Sequence, residues 1–179
     1  MIYLLFIVLA LAIIAAIITL NAFITILWVR VPYVPTPNWA IQWMANNLDL
    51  KPSSYVYDLG CGDGRILFAM EKKFSNLKLT GFELAWLPYF ITRLKIIFKK
   101  SKIKLLHKNF YKADLSNADL IFCFLIDSVM PKLEKQLKEQ LKHGARVISY
   151  GFKFPNWQPS EVIVNPKKPK GSKINIYQV

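Results

Sequence analysis

Three glycines, Gly60, Gly62 and Gly64, directly follow a short apolar run that ends Tyr57-Asp58-Leu59. Glycine at a turn between a strand and a helix permits a tight reversal and lets a ligand approach the backbone closely. Nucleotide-like ligands bind at the carboxyl ends of parallel strands, where such a loop lies. The spacing separates two kinds of ligand. A dinucleotide loop, Gly-x-Gly-x-x-Gly, needs its third glycine at position 65, and that position is Arg65; the third glycine stands at 64. The second feature is Glu83, 19 residues past Gly64 in Thr80-Gly81-Phe82-Glu83. A carboxylate at a second strand end accepts hydrogen bonds from both hydroxyls of a ribose. A lone acid there reads as a surface residue, and a lone glycine loop is a weak signal. The pair at this distance carries more weight than either.

These residues need strands and helices to position them. Residues 55–59 read as a strand, 60–64 as the loop and 65–74 as a helix. Residues 77–82 read as a second strand. Residues 87–100 read as a helix with Phe90, Leu94, Ile97 and Phe98 at helical spacing. Residues 103–106 and 119–125 read as further strands. Residues 131–143 form an amphipathic helix with Leu133, Leu137 and Leu141 in one stripe, stopped by Gly144. Residues 145–150 are a fifth strand, and 161–164 with 174–177 a closing hairpin. Strands alternating with helices imply an α/β domain, a mostly parallel sheet with helices on both faces. Upstream, Thr36-Pro37 reads as a helix start, with Thr at the N-cap and Pro at the first helical position, running to about Asn47.

The 24 Lys and Arg and the 11 Asp and Glu all lie from Arg30 onward, so the net charge of +13 belongs to the last 150 residues. Residues 2–29 carry no charge and are long enough to cross a bilayer, which needs about 20 apolar residues. No basic residue precedes this run and no small-residue cleavage site follows it, which disfavours a signal peptide. We therefore expect residues 1–29 to be an uncleaved transmembrane anchor with Trp28, Arg30 and Tyr33 at the interface. Residues 30–37, rich in proline, are a linker, and residues 38–179 the folded domain. Basic residues such as Lys132, Lys135, Lys138 and Lys142 read as a solvated helix face. The excess also suits anionic lipid beside an anchor. No aromatic-basic pattern accompanies it, so no nucleic-acid partner is expected. Cys61 and Cys123 read as buried small apolar residues. His107 and His143 are far apart in sequence, and no metal-ligand cluster is visible.

The tight glycine loop after Asp58 resembles motif I of the Rossmann-like (class I) S-adenosylmethionine-dependent methyltransferases. The wider pattern resembles the ATP-synthase c-subunit lysine methyltransferase family and its prokaryotic relatives. It is carried, in order, by Val31-Pro-Tyr-Val-Pro-Thr-Pro37, Tyr57-Asp-Leu-Gly-Cys-Gly-Asp-Gly-Arg-Ile66, Gly81-Phe-Glu-Leu84, Met130-Pro-Lys-Leu133 and Phe152-Lys-Phe-Pro-Asn-Trp-Gln-Pro159. It covers about residues 31–160. The resemblance implies a seven-stranded methyltransferase domain that uses S-adenosyl-L-methionine for protein-lysine N-methylation at or near a membrane. It assigns Asp58, Gly60, Gly62, Gly64 and Glu83 to the cofactor. Thr36 joins them from the linker, which the family lays over the cofactor. Asn109 stands where class I enzymes often have an adenine-binding Asp, and Phe110 where a residue packs on the ring. Asp127, past the fourth strand, stands where many such enzymes hold or deprotonate the acceptor, although Leu125-Ile126-Asp127-Ser128 departs from the family's apolar or Pro-containing segment. Phe152, Phe154 and Trp157 are expected to line a channel for the acceptor, with Tyr33 closing its other side. Plain hydrophobic packing is the alternative for each of these rings.

Because the cofactor is made in the cytosol, the domain is expected to face the cytoplasm, on a membrane-associated protein substrate. A methyltransferase for a lipid or quinone-like membrane molecule fits the anchor equally. A catalytically silent binding module is disfavoured by the intact Asp58, glycines and Glu83.

Overall fold

The computed structural model describes residues 2–29 and 34–179, with side chains unassigned from 21 to 29. Arg30 and Tyr33, and the side chain of Trp28, therefore lie outside the described residues. The first helix, α1, spans Ile2–Val29, and its Ile2–Leu20 part is wholly exposed and apolar enough to cross a membrane.

Five strands run parallel: β1 Tyr55–Leu59, β2 Lys78–Glu83, β3 Lys104–His107, β4 Leu120–Cys123 and β5 Arg146–Tyr150. A terminal hairpin, β6 Glu161–Ile163 and β7 Ile174–Gln178, adds antiparallel to β5. The sheet order is β3-β2-β1-β4-β5-β7-β6. The chain moves outward from β1 through β2 to β3, then returns to place β4 on the other side of β1. The order thus reverses between β1 and β4, and the crevice above their carboxyl ends is where an open α/β sheet accepts a ligand.

Alternation of side chains gives the sheet two buried faces. Val56, Phe122 and Ile148 point to one face, against α2 (Asn38–Asn47) and α3 (Arg65–Lys73) through Met44, Leu67 and Met70. Tyr57, Ile121 and Val147 point to the other, against α5 (Met130–Gln140) through Met130, Leu133 and Leu137.

Two local expectations are corrected. Thr36 does not cap α2: Pro37 occupies the cap in extended geometry without a side-chain bond, and its carbonyl accepts from Ala40 and Ile41. Thr36 is instead buried, with its carbonyl turned toward the glycine loop. The helix α5 ends at Gln140, because Leu141 is extended and its N–H closes on Leu137. Gly144, at φ 85°, makes a separate turn into β5, anchored on the Val179 carbonyl. Helix α4 (Trp86–Lys99) turns its apolar stripe away from the sheet. Thr92 is its one buried residue, Ile96 packs partly against the core, and Phe90, Leu94, Ile97 and Phe98 face water.

Candidate functional site

The glycine loop leaves β1 at Leu59 and enters α3 at Arg65. Gly60, Gly62 and Gly64 take φ values of 77°, 56° and 75°, which favour glycine strongly. A side chain at Gly64 would also meet Thr92 Cγ2 at 2.9 Å. The loop is held from three directions. Gly60 and Cys61 donate to the Phe82 carbonyl of β2 at 2.8 and 3.0 Å. The Thr92 hydroxyl donates to the Gly62 carbonyl at 2.7 Å from α4. Asp63 receives Arg65 Nε and Lys95 Nζ, each at 2.9 Å, while Arg65 also donates to the Thr36 carbonyl at 3.1 Å. Burial alone would raise the Asp63 pKa; the bonds and charges of Arg65 and Lys95 outweigh it and hold it at about 2. Arg65 thereby joins the linker to the loop.

Two carboxyl groups lie under this loop. Glu83 is buried at the end of β2, where Oε2 accepts from Gly62 N and Oε1 from Ala85 N, both at 2.8 Å. Each oxygen keeps a further acceptor site. Asp58 is 3% exposed at the end of β1. Burial, with the Glu83 and Asp63 charges nearby, pushes its pKa up to about 8. A site with two buried acids accommodates a cation-bearing ligand, which relieves the cost of ionising the second acid. The thiols are inert by contrast: burial drives Cys61 well above its ordinary value and Cys123 up to about 12.

The remaining residues singled out in the sequence fall around the same sheet edge. Asn109 caps a short 3-10 turn, Phe110–Lys112, by accepting from Tyr111 N at 3.0 Å. Phe110 is partly buried beside it, its carbonyl held by Gln136 of α5. Asp127 is exposed in the turn between β4 and α5, a turn that reaches the loop because Leu125 Cδ2 lies 3.3 Å from where a Gly60 side chain would begin. Beyond β5, Phe152 and Trp157 are partly buried. Phe154 is 3% exposed between Trp157 and Tyr177, so it backs the Trp157 ring from the core instead of lining a channel itself.

Residues 58–161 match the ANTKMT methyltransferase domain. The chain belongs to that family. A protein-lysine N-methyltransferase of Saccharolobus islandicus is 34% identical over 75% of this chain and 84% of its own length. An ATP-synthase c-subunit lysine N-methyltransferase of Xenopus laevis is 32% identical over 73% of this chain. The match spans only 58% of that longer relative. A solved RNA methyltransferase of Salinibacter ruber, in complex with S-adenosyl-L-homocysteine, superposes at a TM-score of 0.74 and 26% identity, over 82% of this chain and 94% of its own.

This ANTKMT-family chain is thus an S-adenosylmethionine-dependent methyltransferase on a seven-stranded sheet. The donor set fits its cofactor: a sulfonium and an ammonium suit the acid pair, and a ribose suits the spare acceptor sites of Glu83. Three supports of the site escape a reading of the sequence. Thr92 holds the loop from α4, and the only sign of it is one small polar residue on that helix. Lys95 completes the Asp63 clamp. Glu134, buried on α5, accepts from Asn156 N at 2.9 Å and from Lys138 at 2.7 Å, and Lys138 also donates to the Asn156 carbonyl, stapling the loop that carries Phe152 and Trp157. Lys138 and Lys142 are accordingly more than a solvated face, since Lys142 pairs with Asp119 at 2.6 Å.

Proposed function

We propose that this chain is a membrane-anchored protein-lysine N-methyltransferase, residues 1–29 forming the anchor, 30–37 the linker and 38–179 the methyltransferase domain that faces the cytoplasm. The observation that carries it is the acid pair, Asp58 and Glu83, beneath a glycine loop tied through Arg65 to the linker at Thr36. The names of the relatives support a lysine acceptor, and the uncharged helix α1 supports the anchor.

In this reading Glu83 accepts the ribose hydroxyls, and Gly60, Gly62 and Gly64 leave room for the ligand against the backbone. Asp58 ionises beside the cofactor's cationic groups. Thr36 and Tyr33 cover the ligand from the linker, while Asn109 uses the remaining lone pair of its oxygen, with Phe110 beside the base. When bound, the cofactor supplies the electrophilic methyl group. The protein's share is alignment and exclusion of water. A lysine acceptor must arrive neutral, against an unperturbed pKa of about 10.4, and an apolar wall disfavours its charged form. Phe152 and Trp157 form that wall, with Phe154 behind them. Asp127, exposed at the rim, holds the incoming lysine ammonium, which gives up a proton to solvent there before the neutral amine moves along the apolar wall to the methyl group.

The decisive assay is transfer of labelled methyl groups into whole membranes, followed by separation of protein from lipid. We expect label on protein lysines; label confined to lipid would replace this reading with lipid methylation. In the same assay Glu83→Ala abolishes cofactor binding, whereas Asp127→Ala raises KM with cofactor affinity intact. Unchanged turnover in Asp127→Ala removes that residue from the mechanism.

A further inference from the structure

Among the described residues, nothing covers the apolar side of helix α4. At about 100° per residue, Leu87, Phe90, Ile91, Leu94, Ile97 and Phe98 fall within an arc of roughly 120° that holds no charged residue. All six are exposed, Phe98 to 82% and Ile97 to 59%. Trp86 prolongs the stripe at the first turn, half exposed and stacked on Phe90. A contiguous apolar patch of this kind on a folded domain marks an interaction surface.

We propose that this face of α4 is a membrane-docking surface, seated among the headgroups of an anionic bilayer. The surroundings select the occupant. Between Leu84 and Ala113 the chain carries eight Lys and Arg and no Asp or Glu. Aromatic and aliphatic side chains on one helix face, with basic residues beside them, make the composition of a helix that lies in a lipid interface. A second copy of the chain would bring the same basic segment against itself, on a protein of net charge +13. The proposal rests on the reading of α1 as a membrane span. The eight residues from 30 to 37 extend at most about 29 Å, which keeps the domain within reach of the bilayer that α1 crosses.

Docking there bears on the cofactor site. Trp86 packs at a tilt on His107 with ring centres 3.8 Å apart, and His107 Nε2 lies 2.8 Å from the Leu84 carbonyl. Leu84 follows Glu83 directly. Thr92, on the opposite side of the same helix, holds Gly62. Helix α4 therefore has one side on the loop that binds cofactor and the other on lipid, which fixes the height of the active site above the membrane.

The test uses the full-length chain in vesicles. Leu94→Cys and Phe98→Cys receive nitroxide labels, with Lys135→Cys on the exposed side of α5 as the aqueous reference; Cys61 and Cys123 are buried and stay unlabelled. The readout is accessibility to oxygen against a polar nickel chelate. In phosphatidylcholine–phosphatidylglycerol vesicles, labels at 94 and 98 should favour oxygen several-fold over the label at 135, and less so in phosphatidylcholine alone. Chelate access equal to that at 135 overturns the proposal. Exclusion of both reagents, or dipolar broadening between labels, also overturns it, in favour of burial against protein. Alkaline carbonate extraction tests α1 separately: release of the chain sinks the anchor, whereas retention with aqueous labels sinks only the docking of α4. The paired variant Leu94→Asp/Phe98→Asp should keep cofactor affinity, which certifies its fold, while its labelled counterpart at position 90 reports an aqueous helix.

Discussion

Asp58 is the residue where folding and function pull apart. Its carboxyl titrates near pH 8 in the folded chain and near 3.8 when exposed. The native state thus keeps a proton that the unfolded chain releases, so unfolding free energy falls as pH rises from about 4 to about 8. Asp58→Asn removes this slope. Without cofactor, the variant should melt above the wild type at pH 9, by on the order of 1–3 kcal/mol in stability, since an amide carries no buried charge. With cofactor the variant's advantage should shrink, because a cation beside an ionised Asp58 is worth about 1.5–3 kcal/mol, or roughly 10- to 150-fold in affinity. Binding at pH 7 should also expel a proton from the wild type and none from the variant. Calorimetry in buffers of different ionisation enthalpy reads this directly; equal proton release from both would remove Asp58 from the site. Glu83→Ala has no such compensation. It strands the N–H groups of Gly62 and Ala85 at a cost of about 1–3 kcal/mol each, so melting temperature and cofactor affinity should fall together.

Among the elements, α5 positions chemistry that it does not itself perform. Its Gln136 holds the turn with Asn109 and Phe110, and its Glu134 holds the loop with Phe152 and Trp157. Glu134→Ala cuts only the second tie. Methyl transfer should therefore slow by about 10-fold or more through kcat/KM for the acceptor, while cofactor affinity stays level. A matching loss of cofactor affinity would show the two ties to be one unit. The parallel strands and the glycine loop were legible in the sequence, because short mostly apolar runs such as Leu120–Cys123 alternate with helical segments and because tight turns need glycine. The staple was not, since Glu134 and Lys138 read as an ordinary surface pair until Asn156 is brought beside them. Thr92 was hidden likewise: its acceptor is 30 residues away, and nothing local announces it. Periodicity also revealed that α4 has an apolar face, yet spacing is silent on what covers it. The carboxyl end of α5 and the cap of α2 differed from expectation where residues distant in sequence, Val179 at Gly144 and Arg65 at Thr36, took over the local backbone groups.

At the scale of the whole molecule, residues 1–29 and the linker are expected to have separate tasks. Removing residues 1–29 leaves the Arg65–Thr36 tie in place, so cofactor affinity should be unchanged. Removing residues 31–37 deletes that tie, and cofactor binding should be lost. The domain freed of residues 1–29 would still carry the apolar, basic face of α4. It should float with anionic vesicles at low salt and release as salt rises, since screening shortens the reach of the lysines to about 8 Å at 0.15 M. The full chain should not release. The consequence for turnover follows from tethering. An α1 seated in the bilayer, as proposed, would raise the local concentration of membrane-borne acceptors, worth about 10²–10⁴ in avidity, without altering any contact in the site. Truncation should therefore depress methylation of a membrane-embedded protein far more than that of a soluble lysine peptide. Measuring kcat/KM for both acceptors with both forms checks this; an equal drop for the two would mean that α1 supports the catalytic fold itself.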